Sequence, residues 1–476
     1  MNTYSSARGI QSSSIRYLFF FALLCNFIFS YETAMVEYGV ATIAAELHAD
    51  PVEASGLLFW NFLAAAVGVA SAPYIGSGVS PLRCVRIGVA LAIMAAVVGC
   101  IIHTVMDFSL VRVVVGLLSA NVTVFLAAFI GQSTTPDERT AVFGGTSIGI
   151  GLGYLCAPLA IATSLHMAGT WRYAYGSVIL GLMLILWMSR AVDDHVRSDE
   201  SGSPRNALDF FSLISLVVFL ACCAFVVHPS SPLAKGYWPV MLAVLGAFAF
   251  YGVLWTSKRC DNPAMDLQLV FHAKAWPLLL GTLLSFCATF LIAFIAPYLS
   301  LYSVSAQAEI GVLLLAAFPI GFALGGLLSS SVFNGLPFGR LAFLAHMGCG
   351  MAALAGAWLV RLDSPAVLAL AYLASGTMRG LTIAPMGTIA TTQVPVYRLP
   401  SFLSTVTIFR SMGMLIGVGM GAQAWMYFGV DQTLAEAAEI DAQHGIVALH
   451  ASQLYVATAV LYSLACALLS KYRHLK

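Results

Sequence analysis

The stretch Ser30–Leu47, SYETAMVEYGVATIAAEL, puts two carboxylates, Glu32 and Glu37, into an apolar run that opens at Tyr17 with YLFFFALLCNFIF. A helix crosses a hydrocarbon core with about 20 mostly apolar residues, and this run is long enough. The basic flank MNTYSSARGIQSSSIR gives it the look of a signal peptide. The apolar pattern continues through Val40 to Ala45, past an h-region, so the run reads as an uncleaved first helix. An acid at mid-bilayer costs about 2.5–3.5 kcal/mol on insertion scales, so it faces a partner or an interior cavity. Two such acids on one helix call for a function.

The rest of the chain repeats the pattern. Only 9% of the 476 residues are charged and 60% are hydrophobic, with mean hydropathy +0.89. Soluble domains carry roughly 25% charge. Fourteen apolar runs follow one another, and none has the alternating, roughly 10-residue form of a membrane β-strand. The sequence therefore predicts an all-α polytopic membrane protein. The polar linker SRAVDDHVRSDESGSPRNALDF (189–210) has six runs before it; an extra pair occupies 209–256, and six more follow. Two six-helix bundles with two inserted helices, 14 transmembrane helices in all, are expected. The expected divisions are 1–190, 191–275 and 276–476. Repeat-built transporters hold cargo near mid-membrane between their repeats.

Basic residues set the orientation. With the N-terminus inside, 16 of the 22 Lys and Arg fall on the cytoplasmic side, against Arg172, Lys235 and Arg361 opposite. Both termini are expected in the cytoplasm of a cell membrane, the bacterial inner membrane in particular. The net charge of +1 suggests no nucleic-acid partner.

Five ionisable groups fall inside spans: Glu32, Glu37, Arg112, Arg379 and Arg410. Five helical steps turn Glu32 and Glu37 about 140° apart, so one can face a neighbouring helix and the other a cavity. Arg112 can meet either. A carboxylate whose surroundings change between conformations changes its proton affinity. Glu32, Glu37 and Arg112 are therefore the candidates for proton coupling, and a permanent ion pair is the alternative. Arg379 and Arg410 have no acid in their half; they either bond helix carbonyls or receive an anionic cargo group. Tyr31, Trp60, Phe294 and Tyr298, with Phe27 and Phe290, are candidate cavity aromatics. GGTSIGIGLGYLCAPLA (144–160) packs five glycines and a proline into one span, which predicts a tightly packed, deformable helix.

Other chemistries find little here. The ten cysteines form no C-x-x-C, so no metal site or disulfide framework is expected. His103, His166 and His346 sit on separate spans. No H-E-x-x-H, G-x-S-x-G or G-x-x-x-x-G-K-[ST] occurs, so neither an enzyme nor a nucleotide cofactor is expected. The outer segment DQTLAEAAEIDAQHGIVALH (431–450) is amphipathic. It either lies on the membrane or meets a periplasmic adaptor protein.

Several of these segments, in order, resemble the fourteen-helix drug–proton antiporters of the major facilitator superfamily. YETAMVEYGVATIA resembles the first-helix pattern L-D-x-T-I-V-N-V-A-L-P-x-I, with Glu32 at its aspartate and Glu37 at its asparagine. Arg112 and Gly116 match R-x-x-x-G of the fourth helix. TTPDERTAVFGG looks like the following loop. GYLCAPLAIA keeps Gly153 and Pro158 of the fifth-helix antiporter motif, but Ala157, Ile161 and Ala162 replace glycines. FRSMGMLIG matches R-x-x-G-x-x-x-G with Arg410, Gly413 and Gly417. GSGVSPLRCVR departs from the family, with Ser80 where an aspartate is usual.

The resemblance implies a major facilitator fold and alternating access. It implies proton-coupled export of lipophilic small molecules, the multidrug-efflux pattern, with Gly116, Gly153 and Pro158 as the conformational motif. A transporter of one metabolite, such as a siderophore or fatty acid, and a transporter-like sensor are the alternatives. The implied partners are small-molecule cargo, protons and the lipid bilayer.

Overall fold

The computed structural model describes residues 12–49, 51–76, 79–195, 209–227, 237–259, 265–272, 275–293, 308–333, 335–360, 364–395, 398–427 and 440–475. In lipid every backbone polar group must be satisfied within its own segment, so apolar runs become helices. The first bundle comprises α1 (Ser12–Glu46), α2 (Pro51–Ile75), α3 (Pro81–Ile101), α4 (Val105–Ser133), α5 (Pro136–Ala168) and α6 (Arg172–His195). The inserted pair is α7 (Phe210–Val227) and α8 (Trp238–Arg259), followed by the short α9 (Leu267–His272). The second bundle comprises α10 (Trp276–Ala293), α11 (Ala308–Ser330), α12 (Phe338–Leu359), α13 (Pro365–Thr392), α14 (Leu399–Tyr427) and α15 (Ile440–Leu469).

Among the described residues, 11 helices are long and apolar enough to cross a membrane, and shorter apolar helices cover 210–226, 276–291 and 316–330. These are the fourteen runs of the sequence. The helix α6 runs on to His195, into the polar linker, and α15 begins at Ile440, inside the amphipathic segment. Extending an existing helix adds a hydrogen bond for each residue fixed, so polar flanks continue it. Residues 428–439, most of the outer half of the amphipathic segment, lie outside the described residues.

The two bundles share one packing plan. In each, the first helix packs on the fifth and sixth, the second on the fourth, and the third on the fourth and sixth. The bundles meet reciprocally, α5 against α11 and α2 against α14, fifth on second in both directions. The pair α7–α8 packs on itself and, through α7, on α2 and α14.

Glycines set the closest of these approaches. A Cβ on Gly145, Gly149 or Gly153 of α5 would meet backbone atoms of Phe19, Leu23 and Phe27 of α1. The steps of four on both helices are those of a small-xxx-small interface. The counterpart repeats the device, with Gly413 and Gly417 of α14 against the Leu283 and Cys287 carbonyls of α10. The other edge of α5 faces the second bundle, where Gly144 and Gly151 meet α11 at Gly326, Pro319 and Ala323. In the second–fourth pair, Gly116 of α4 lies against the Asn61 carbonyl and Gly68 of α2 against that of Leu117. Capping fixes the ends of α5. A Thr135–Glu138 capping box starts it, and Gly169, at φ 68°, closes it with an N–H donated to the Leu165 carbonyl.

Several cross-bundle hydrogen bonds gather toward the arginine-rich end. There Arg139 donates to the Thr391 carbonyl at 3.2 Å, Thr140 pairs with Thr388 at 3.0 Å, and Ser404 donates to the Val69 carbonyl at 2.6 Å. Deeper in, Ser147 donates to the Gly380 carbonyl at 2.9 Å.

Gly149→Val is expected to lower stability in detergent by about 1–3 kcal/mol or to abolish folding, as overpacked contacts do. Gly335→Ala, whose Cβ would meet nothing within 4 Å, serves as the control. Thermal melts of the two variants check this; equal melting would refute the backbone contact.

Candidate functional site

The two first-helix acids serve different places. Glu32 is buried inside the first bundle, where its Oε1 accepts from Arg112 Nη1 of α4 and, at 3.1 Å, from the Tyr175 hydroxyl of α6. Arg112 and Glu32 are 0% and 2% exposed. Glu32 Oε2 and Arg112 Nε and Nη2 have no partner. Tyr175 in turn packs edge-on against Phe108 and Trp171. An apolar wall this close keeps water from the pair and strengthens its attraction.

Glu37 instead lines a cavity of about 220 Å³ between the bundles. Tyr154 of α5 lines the same wall, and Glu37 Oε2 is buried without a hydrogen-bond partner. From α1 the wall takes Phe29, Tyr38 and the stripe Asn26, Ser30, Thr33 and Glu37, whose steps of four, three and four lie on one helix face. Glu32 and Tyr31 fall off that stripe, which explains the division of labour. Asn61 and Phe62 of α2 face the first bundle's side of the cavity, and Phe62 meets Phe290 of α10 edge-on at 5.9 Å.

The second bundle brings the cations. Arg379 of α13 and Arg410 of α14 both line this cavity and a second one of about 120 Å³, as does Phe286 of α10. Both guanidinium groups lie over the Phe286 ring, at 4.2 and 5.1 Å from its centroid. Arg379 Nη1 donates to Ser285 Oγ and Thr382 Oγ1, each at 2.7 Å. Ser285 Oγ lies 3.2 Å from Nε2 of the buried His346, whose Nδ1 is 2.7 Å from the Ala342 carbonyl. A carbonyl only accepts, so Nδ1 carries a proton, and Nε2 makes the contact with the Ser285 hydroxyl. Arg379 Nε and Nη2 and Arg410 Nε are buried with no partner.

The sequence candidates thus divide. The cavity brings together Glu37, Arg379 and Arg410, with Phe290. Arg112 meets Glu32 rather than Glu37. Tyr31 turns toward α6, where its hydroxyl pairs with Ser177 at 2.8 Å and its ring stacks on Phe27. Trp60 is 39% exposed and stands edge-on to Phe225 of α7; a step of about 100° per residue carries it away from the wall that Asn61 and Phe62 line. Neither Tyr31 nor Trp60 is a wall residue of either cavity. Phe294 and Tyr298 lie outside the described residues. Gly116 and Gly153 lie at backbone contacts, and Pro158 sits inside α5. Asn26, Asn61, Tyr154, Ser285, Phe286 and His346 escaped the sequence reading. Of these, Asn26 alone carried a signal, as the first member of the polar stripe. Among the described residues no group of three or more His, Cys, Asp or Glu could hold a metal ion.

Two bundles of membrane-length helices, closing on a cavity with buried charge, make the architecture of a secondary transporter. The Major Facilitator Superfamily model matches residues 22–418, and the chain belongs to that family. It is a transporter, not an enzyme. No curated protein matches the chain. Among solved structures it is similar to the human organic anion transporter MFSD10, at 14% identity and TM-score 0.63, covering 96% of this chain and 98% of that one. It is also similar to the proton:xylose symporter XylE, at 14% identity and TM-score 0.65, covering 97% and 96%. A peptide transporter, POT, matches at 16% identity and TM-score 0.60, covering 95% and 94%. At these identities the likeness shows the fold.

A double-mutant cycle tests the buried pair. Glu32→Met and Arg112→Met are each expected to destabilise by about 3–5 kcal/mol, because each strands a buried charge, while the double variant recovers much of the loss. Denaturation in detergent measures this. Additive losses would show that the two groups do not interact.

Proposed function

We propose that this chain is a proton-coupled secondary transporter that exports lipophilic small molecules in exchange for protons, and that Glu37 is the group that titrates. The observation that carries this reading is the place of Glu37: on the wall of the inter-bundle cavity beside Tyr154, with no ion-pair partner among the described residues, whereas Glu32 is paired and off that wall. A carboxylate there can gain its proton from cavity water and be relieved of it when cargo or conformation changes its surroundings. Glu32, bonded through Oε1 to Arg112 and Tyr175 and away from the cavity wall, fixes α1 against α4 and α6. An exchanged proton carries about 2.3 kcal/mol per 100 mV of membrane potential, in addition to the pH gradient.

The family motifs on α1, α4, α5 and α14 support assignment to the fourteen-helix drug–proton antiporters, and the pair α7–α8 supplies the two additional spans. The division into 1–190, 191–275 and 276–476 follows that pattern. The skew of basic residues supports cytoplasmic termini in a bacterial inner membrane. On that orientation the bonds made by Arg139, Thr140 and Ser404 close the cytoplasmic end, and the cavity lies on the outer side of them. Alternating access then requires those bonds to open while α5 slides or tilts on α11. Contact with a periplasmic adaptor has no support among the described residues and is not part of the proposal.

The test is transport in proteoliposomes under an imposed pH gradient. Wild-type protein and Glu32→Gln are expected to concentrate a lipophilic dye against its gradient. Glu37→Gln is expected to lose concentrative transport but keep downhill exchange. Full concentrative transport by Glu37→Gln would remove this residue from the coupling.

A further inference from the structure

We infer that the Arg379–Phe286–Arg410 cluster is a binding site for the anionic group of an aromatic or apolar cargo, a carboxylate or sulfonate. The inference rests on the transport reading of the same cavity but not on its direction.

The argument begins with an imbalance. Removing a guanidinium from water costs several kcal/mol even after relaxation, and a buried one is usually paired. Arg379 is 2% exposed, yet among the described residues no carboxylate lies within ion-pair distance of it or of Arg410. The ring of Phe286 offsets part of the cost through its cation–π contacts with both guanidiniums. It does not satisfy the N–H groups. Three of them, Arg379 Nε and Nη2 and Arg410 Nε, are buried and unpartnered. Unmade hydrogen bonds of buried donors are costly, and a bound oxyanion would make them.

The geometry suits such a guest. The Nε and Nη2 of a guanidinium form one edge of its planar fork, the edge that takes a carboxylate with two parallel bonds. In Arg379 it is Nη1 that is occupied, by Ser285 and Thr382, which leaves that edge free. Ser285 is itself oriented by His346, so the second bundle holds the guanidinium in one pose before cargo arrives. Ser285 and His346 are positioning residues in this scheme. The cluster also stands in the shared wall of both cavities. An anionic head seated there leaves its body in the larger cavity, against Phe62, Phe290 and Phe322. That cavity, about 220 Å³, is smaller than the roughly 300–1,000 Å³ of drug-sized sites, so the body is of one or two rings. Among the described residues Glu37 is the sole carboxylate on the same wall, and two guanidiniums outweigh it.

Calorimetry on the purified full-length protein in detergent tests this with three probes of one shape: 2-naphthoate, neutral 2-naphthamide and cationic 2-naphthylmethylamine. Naphthoate is expected to bind about 10-fold or more tighter than the amide, the size of a hydrogen-bonded charge contact, and the amine weakest. Arg379→Gln and Arg410→Gln should each collapse the naphthoate–amide difference, and Arg410→Lys should restore part of it. Equal binding of naphthoate and amide by wild type, tighter binding of the amine, or a preference that survives both glutamine variants would overturn the inference. The wild-type series stands even if a variant fails to fold. Preference for naphthoate without any proton-driven accumulation in proteoliposomes would overturn the transport reading and leave the anion site in place.

Discussion

Backbone-to-backbone approach of helices is the constraint on which this structure depends. Between helices in lipid there is no hydrophobic gain, so association rests on close packing and on hydrogen bonds. The helix α5 meets this twice. Its Gly145, Gly149 and Gly153 edge lies on the backbone of α1, and its Gly144 and Gly151 edge lies on α11. The first edge builds a bundle and the second joins the two bundles. Everything else about the site follows from where α5 holds α1. Tyr154, next to Gly153, lines the cavity wall beside Glu37, and the α1 stripe that carries Glu37 is turned toward the cavity.

Charge is then sorted by helix phase. The five helical steps from Glu32 to Glu37 are enough to send one acid into a bundle and the other to the cavity. The first is matched by a guanidinium and a phenol. The second lies on the cavity wall and makes no ion pair among the described residues. In the opposite bundle the arrangement is inverted, because Arg379 and Arg410 have an aromatic ring and hydroxyl groups about them but no acid. The transporter thus holds one paired charge inside the first bundle and unpaired charges on the wall of the cavity between the bundles.

Much of this architecture was legible in the sequence, because hydrocarbon imposes so direct a rule on length and polarity. The apolar runs, the polar linker and the inserted pair could be read without knowing any contact. The 140° separation of Glu32 and Glu37 was legible too, but which acid took which face was not. That depended on α4 and α6 supplying Arg112 and Tyr175, and partners across a bundle leave no local mark. The glycine-rich run of α5 announced close packing without naming α1 or α11. Tyr31 and Trp60 are aromatics one residue off the cavity face, and composition alone does not distinguish them from Phe62. Ser285 and His346 were invisible for a related reason: one serine and one histidine in apolar helices acquire meaning only when Arg379 lies between them and the cavity.

The reliance on glycine contacts has an evolutionary corollary. The positions that hold the bundles in register bear no side chains and face other backbones, whereas the wall residues Phe29, Phe62, Phe290 and Ile383 face open space. Exchanging wall side chains would reshape the chamber and leave the scaffold's register untouched. Natural variants of this chain can therefore drift in what they carry without first having to relearn how to fold.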